Sequence, residues 1–180
     1  MPLFCQCRRA ALVLVCAAGL ALPAHAVEAT PLDAQVKRLA GLLGDSYARA
    51  YPDSAMVQTL SLPQGRTLAV AVFTIESFGG GNNHRQYLAL FEQDRNEEGP
   101  IEHFALLDVM LIGAKGWRAI PALKVDSRVD AKTGKVLLAI PAMANTESDA
   151  LNFPSRKTTI RLELDRELRE LKGEATGEAP

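Results

Sequence analysis

Between Pro31 and Tyr51, apolar residues recur every three or four positions: Val36, Leu39, Leu43, Tyr47 and Ala50, with Leu42 widening the stripe. Lys37, Arg38, Asp45 and Arg49 take the opposite side. That period predicts an amphipathic helix. Thr30 caps its start, and Pro31 suits the first turn because its missing N–H has no partner there. Asp33 favours the positive end, and Pro52 forbids continuation past Tyr51. Both signs of charge mix on the polar side, which suits packing on a sheet better than lying on a membrane surface.

From Met56 onward the period changes to two. Strands are predicted over Val57–Leu62, Arg66–Glu76, Arg85–Gln93, Glu102–Ile112, Ala122–Asp130, Lys135–Ile140 and Arg156–Leu164, with a further one over Glu167–Leu171. Polar or glycine-containing turns separate them, and no helical period intervenes, so the strands form an antiparallel meander and not βαβ units. Leu123, Val125 and Val129 alternate with Lys124, Asp126 and Arg128, as do Ile160, Leu162 and Leu164 with Arg161 and Glu163, giving strands with one wet face. By contrast, Leu68–Ile75 and Tyr87–Phe91 are apolar on both faces and must be covered on both sides. The helix would cover one face and the sheet, folding over itself, the other. The fold class is α+β: an N-terminal amphipathic helix packed on a curved antiparallel meander sheet, or on a β-sandwich, of about seven to eight strands. Residues 27–172 form one globular domain, and the small, polar residues 173–180 form a disordered tail.

The first 26 residues predict the address. Arg8 and Arg9 precede an apolar run from Ala10 to Leu22, and Ala24-His25-Ala26 supplies the small-x-small pattern that signal peptidase accepts. This reads as a signal peptide cleaved before Val27, giving a periplasmic or secreted protein. The apolar run is shorter than the roughly 20 residues of a membrane span, so no stable membrane anchor is expected. Val15 before Cys16 does not suit lipid attachment, and Ala10-Ala11-Leu12 after the arginine pair does not suit twin-arginine export.

Cleavage changes what chemistry is available. Cys5, Cys7 and Cys16 all leave with the signal, so the mature domain has no disulfide, thiolate ligand or cysteine nucleophile. Arg8 and Arg9 leave too, so 20 Lys and Arg become 18 against 21 Asp and Glu, a net charge of −3. With no basic stripe, nucleic acid is not an expected partner. His84 and His103 remain as the only histidines, too few for an ordinary zinc site or a triad, and neither metal nor cofactor is expected.

The most unusual local sequence is Gly79-Gly80-Gly81-Asn82-Asn83-His84-Arg85. Three glycines can turn backbone N–H groups into an anion-binding nest, with His84 and Arg85 adding positive charge. They equally serve a hairpin turn that needs positive φ. No P-loop lysine follows and the next element is a strand, so nucleotide binding is not indicated. Trp117 follows Gly116 in a turn: buried it plugs the core, exposed it anchors a sugar or a partner protein. Asp108 lies in an apolar run and must find a donor, with His103, Arg85, Lys115 and Arg118 as candidates, or lie at a strand edge. Asp126, Asp130 and Asp149 do not form a calcium-loop pattern, and Ser155 has no base beside it, so no catalytic residue is assigned.

Phe73–Asn83, Gln86–Phe91, Gly116-Trp117-Arg118 and Ser148-Asp149-Ala150 before Pro154-Ser155 together resemble a group of uncharacterised secreted proteins of Gram-negative bacteria. The resemblance implies a periplasmic home and no known activity. It also implies a cysteine pair where this chain has Asn152-Phe153, so no metal or redox role passes to that loop. The expected function is a non-enzymatic periplasmic binding domain, its partner a periplasmic protein or an anionic ligand. An inhibitor or immunity-type protein acting on a cell-wall or effector enzyme is the alternative, and a hydrolase using His84 or His103 with a carboxylate comes after it. The candidate binding residues are Gly79, Gly80, Gly81, Asn82, Asn83, His84, Arg85 and Trp117.

Overall fold

The computed structural model describes residues 31–95 and 102–172. The expected signal peptide 1–26, the expected cap Thr30, the expected turn 96–100 and the expected tail 173–180 lie outside the described residues. The elements, in chain order, are helix α1 (Pro31–Leu43) and strands β1 (Arg49–Ala50), β2 (Met56–Ser61), β3 (Thr67–Glu76), β4 (His84–Arg95) and β5 (Glu102–Ala114). Strands β6 (Arg118–Ala119), β7 (Asp126–Val129), β8 (Val136–Ala144), β9 (Arg156–Leu164) and β10 (Leu168–Glu170) follow.

Helix α1 stops at Leu43, well short of Tyr51. Asp45 accepts a hydrogen bond from its neighbour Tyr47 N–H at 2.9 Å, offering the backbone a turn in place of another helical hydrogen bond. Arg49 and Ala50 then pair with Glu76 and Ile75 of β3. Sheet pairing overrides the helical period here, and Tyr47 and Leu42, expected on the packed face, are exposed.

All strand pairs are antiparallel, and the ten strands belong to one sheet. Strands β1 and β2 both lie along the same side of β3, and β6 and β7 along the same side of β8. The sheet is therefore a meander of eight lanes, two of them interrupted. The strands not anticipated from the sequence, β1 and β6, are two residues long, too short to show a period.

The double-sided apolar strands lie between two cores. Leu68, Val70 and Val72 of β3 and Leu88 and Leu90 of β4 cluster with Leu138, Ile140, Ile160 and Leu162 of β8 and β9. The sheet thus curves back over itself around one core. The intervening residues Ala69, Ala71, Phe73, Tyr87, Ala89 and Phe91 cluster with Leu32, Val36 and Ala40 of α1, and Gln35 donates to the Phe104 carbonyl at 2.6 Å. Curvature has a local cause in β5, where Leu107 and Ile112 are extra residues opposite β4. Such bulges bend a strand and increase its twist.

Leu43 is half-buried against the helix-side core, whereas Leu42 is 74% exposed. In a denaturant titration, Leu43→Ala should cost about 2 kcal/mol, the low end for a core leucine. Leu42→Ala should change stability by less than about 0.5 kcal/mol.

Polar side chains close the curve. Gln86 of β4, buried, donates from Nε2 to the Ile120 carbonyl at 3.1 Å and accepts from Ile120 N–H at 2.7 Å. Gln58 of β2 makes the same double bond to Val125, at 2.9 and 2.7 Å. Each amide acts as a piece of strand backbone, and together they fasten the segment between Ile120 and Val125 across the sheet. On the other side, Asp108 accepts from Leu168 N–H at 2.8 Å and from Val109 N–H at 2.7 Å. Asp108 therefore meets backbone amides, where a side-chain cation or a strand edge was expected. Arg118, 8% exposed, donates through Nε to the Ile112 carbonyl at 2.6 Å and through both terminal nitrogens to Glu170. These contacts hold β10 against β5.

Candidate functional site

Strand direction brings three connections to one end of the molecule: the Ser77–Asn83 turn between β3 and β4, the Lys115–Trp117 turn between β5 and β6, and the 145–155 loop between β8 and β9. The glycine loop is a strained turn. Ser77, Gly79 and Gly80 have φ of 64°, 65° and 73°, which glycine adopts without penalty and serine does not. Its N–H groups are already engaged. Gly79 N–H donates to Asp45 at 2.9 Å, Gly80 N–H to the Ser77 carbonyl at 3.0 Å and Gly81 N–H to the Phe78 carbonyl at 3.4 Å. The anion in the nest is the chain's own Asp45 carboxylate, a residue the sequence placed on a helix.

Gly79 N–H, then Tyr47 N–H, hold the Asp45 carboxyl below its ordinary value of 3.8, with smaller help from Ala48 N–H and the Arg85 charge. A lowered carboxyl stabilises the fold above its unfolded pKa, and that stability is lost as pH falls through the folded value. Asp130 and Asp149 are shifted the same way, chiefly by backbone N–H groups of Thr133 and Thr146 respectively. Thermal stability should therefore fall below about pH 4, and Asp45→Asn should flatten part of that fall. A melting curve with the same acid limb in Asp45→Asn would show that the loop does not depend on the carboxylate.

A cavity of about 580 Å³ opens beside the nest, lined by Asp45, Phe78, His84, Arg85 and Lys115 among others. Arg85 is exposed, with its guanidinium carbon 4.3 Å from the centroid of the Phe78 ring, a cation–π position. Lys115 donates from Nζ to the Asn82 carbonyl at 2.8 Å. Of the residues predicted to bind, Gly79, Asn83, His84 and Arg85 line this cavity, and Gly81, Asn82, Asn83 and His84 line a second, of about 380 Å³. Gly80 packs towards Tyr47, whose ring would lie 3.6 Å from a Cβ added there.

Trp117 is 42% exposed, so it is not a core plug. The Arg118 guanidinium lies over its ring at 4.0 Å from the centroid. Beside it, Gly116 N–H donates to the Leu151 carbonyl at 2.7 Å and Asn145 N–H to the Trp117 carbonyl at 2.8 Å, tying this turn to the 145–155 loop. Asp149 fixes that loop from inside, accepting from Thr146 N–H at 2.8 Å, Ser155 N–H at 3.0 Å and Ser155 Oγ at 2.8 Å. On the loop held this way, Leu151 is 57% and Phe153 75% exposed.

The chain matches no protein-family model, no curated protein and no solved structure. Its function must be argued from this end of the fold. His103 lies far from His84: it pairs in register with Asp94 at the opposite end of β4, whereas His84 pairs with Glu76. Among the described residues, no helix is long and apolar enough to cross a membrane, and no group of His, Cys, Asp and Glu gathers as metal ligands would. Sequence reasoning missed Asp45, Lys115, Leu151 and Phe153 as members of this surface, because their proximity to the glycine loop depends on strand order.

Proposed function

We propose that this chain is an exported, non-enzymatic interaction module that holds a protein partner at its loop end. The observation that carries this reading is Phe153, three-quarters exposed on a loop held by the Asp149 network. A large apolar side chain on an already ordered loop loses little conformational freedom on binding, which suits it to an interface. Trp117, Leu151 and Tyr47 add exposed apolar surface on neighbouring turns, and Arg85 and Lys115 add positive charge. Aromatic residues with arginine are the usual anchors of protein interfaces. The cations favour a partner with an acidic patch. A small anion bound by the glycine N–H groups is less well supported, because Asp45 already accepts from Gly79. The same rigid, apolar-tipped loop suits a second reading, an inhibitor or immunity-type protein that inserts Leu151 and Phe153 into an enzyme cleft.

Export rests on the N-terminal pattern, and intact-mass measurement of periplasmic protein should give a chain starting at Val27. Retention of Met1, or a lipid on Cys16, would refute it. Affinity capture from periplasmic extract tests the surface. The unmodified protein and Lys132→Ala, altered at the opposite end, should retain the same partner, and Phe153→Ala should lose it without a change in melting temperature. Capture of that partner equally by Phe153→Ala would overturn the reading.

A further inference from the structure

The inward face of the central strands changes character at the loop end. Along β3 the inward positions run Leu68, Val70, Val72, then Thr74 and Glu76, and along β4, read backwards, Leu90, Leu88, then Gln86 and His84. The register sets Thr74 opposite Gln86 and Glu76 opposite His84. The apolar core thus gives way, in the last two rows of both strands, to paired polar side chains. Above them lies the cavity of about 380 Å³, lined also by Ala119 and Asn152. It sits in the mouth formed where the sheet curves over itself, a place where β-proteins commonly bind small molecules, and its size is at the small end of the usual ~300–1,000 Å³.

We propose that this mouth is a saccharide-binding site. Its polar wall offers the Thr74 hydroxyl, the Asn82, Asn83 and Asn152 amides, the His84 imidazole and the Glu76 carboxylate, with no lysine or arginine. Planar amides, which donate and accept, beside a carboxylate, which accepts, complement vicinal hydroxyls, each of which does both. The absence of a lining cation and the presence of Glu76 disfavour a phosphate or a carboxylate ligand. Asn152 adds a second, independent observation: its Oδ1 is buried with no hydrogen-bond donor among the described residues. A buried acceptor without a donor is costly, and turning this amide towards the cavity would let it meet a ligand hydroxyl. Gln86, held by both its bonds to Ile120, gives the site a rigid floor.

This site does not depend on the protein-docking surface, and its test keeps the two apart. The protein without its signal segment is applied to an array of immobilised neutral and N-acetylated oligosaccharides, and a retained oligosaccharide is titrated calorimetrically. Saturable binding is expected, weakened roughly tenfold by Glu76→Gln, which replaces a charged acceptor with a neutral amide, and by Thr74→Val, which removes a hydroxyl at nearly constant shape. Lys132→Ala, at the opposite end of β8, should leave the affinity within about twofold, since surface changes away from a site act weakly. Glu76 is exposed, so Glu76→Gln should fold as the parent does, and circular dichroism checks both variants. Retention of no oligosaccharide, or binding that both mouth variants leave unchanged, would overturn the proposal.

Discussion

Glu170→Ala should destabilise the protein by about 3 kcal/mol, more than the loss of an ordinary surface ion pair. The reason is the asymmetry of the pair. The Arg118 side chain is 10% exposed and that of Glu170 35%, so removing the carboxylate strands a guanidinium that water reaches poorly. The Ile112 carbonyl and the Trp117 ring remain beside it, but neither carries a compensating negative charge. Arg118→Met with Glu170→Leu should recover most of the loss, because an apolar pair of similar volume has no ion to desolvate. Urea titrations of the single and double variants decide the matter. A cost below about 1 kcal/mol for Glu170→Ala would place the pair among solvated surface bridges and leave β10 held by Asp108 and its β9 ladder.

Gln86→Leu should cost a similar amount, about 3 kcal/mol, by a different route. Leucine nearly matches glutamine in size but leaves the Ile120 N–H and carbonyl without partners, and each buried orphan costs about 1–3 kcal/mol. Ile120 itself is 2% exposed, so water does not readily replace the amide. Gln58→Leu makes the same change at Val125, but Gln58 is only half-buried where Gln86 is buried, so it should cost less. Hydrogen exchange gives an independent readout, because the Ile120 amide should be protected in the parent and exchange quickly in Gln86→Leu. Equal losses for the two variants, with Ile120 still protected, would mean that the segment is held by Ile120 packing alone.

Both predictions depend on contacts between residues 34 to 52 positions apart, which shows where sequence reasoning stopped. The nearly unbroken apolar runs Leu68–Ile75 and Tyr87–Phe91 announced strands buried on both faces, and the two cores lie as that pattern required. Period is a local property, so it survives in the sequence. The helix end was misread because Asp45 looks like a polar helix position until the glycine loop brings an N–H to it. Trp117 was ambiguous for a similar reason: its exposure depends on Arg118 turning inward to Glu170. The glycine loop was legible as a turn, since Gly79 and Gly80 take positive φ, but the carboxylate that fills it was not. The polar mouth was readable in principle. Thr74 and Glu76 on one strand, and His84 and Gln86 on the next, interrupt the inward apolar series at the same end once antiparallel pairing is assumed.

The central claim is that the loop end, and not the sheet faces or the opposite turns, meets the partner. Site-specific photo-crosslinking in cells tests it most directly, with the reactive residue placed at Phe153 or at Lys132. Lys132 lies in the β7–β8 turn, where Asp130 accepts from its N–H at 3.0 Å, at the far end of β8 from the 145–155 loop. A discrete crosslinked species from position 153, absent from position 132 and lost when Arg85→Ala is added, is the result expected. A discrete species from position 132 with none from position 153 would contradict it.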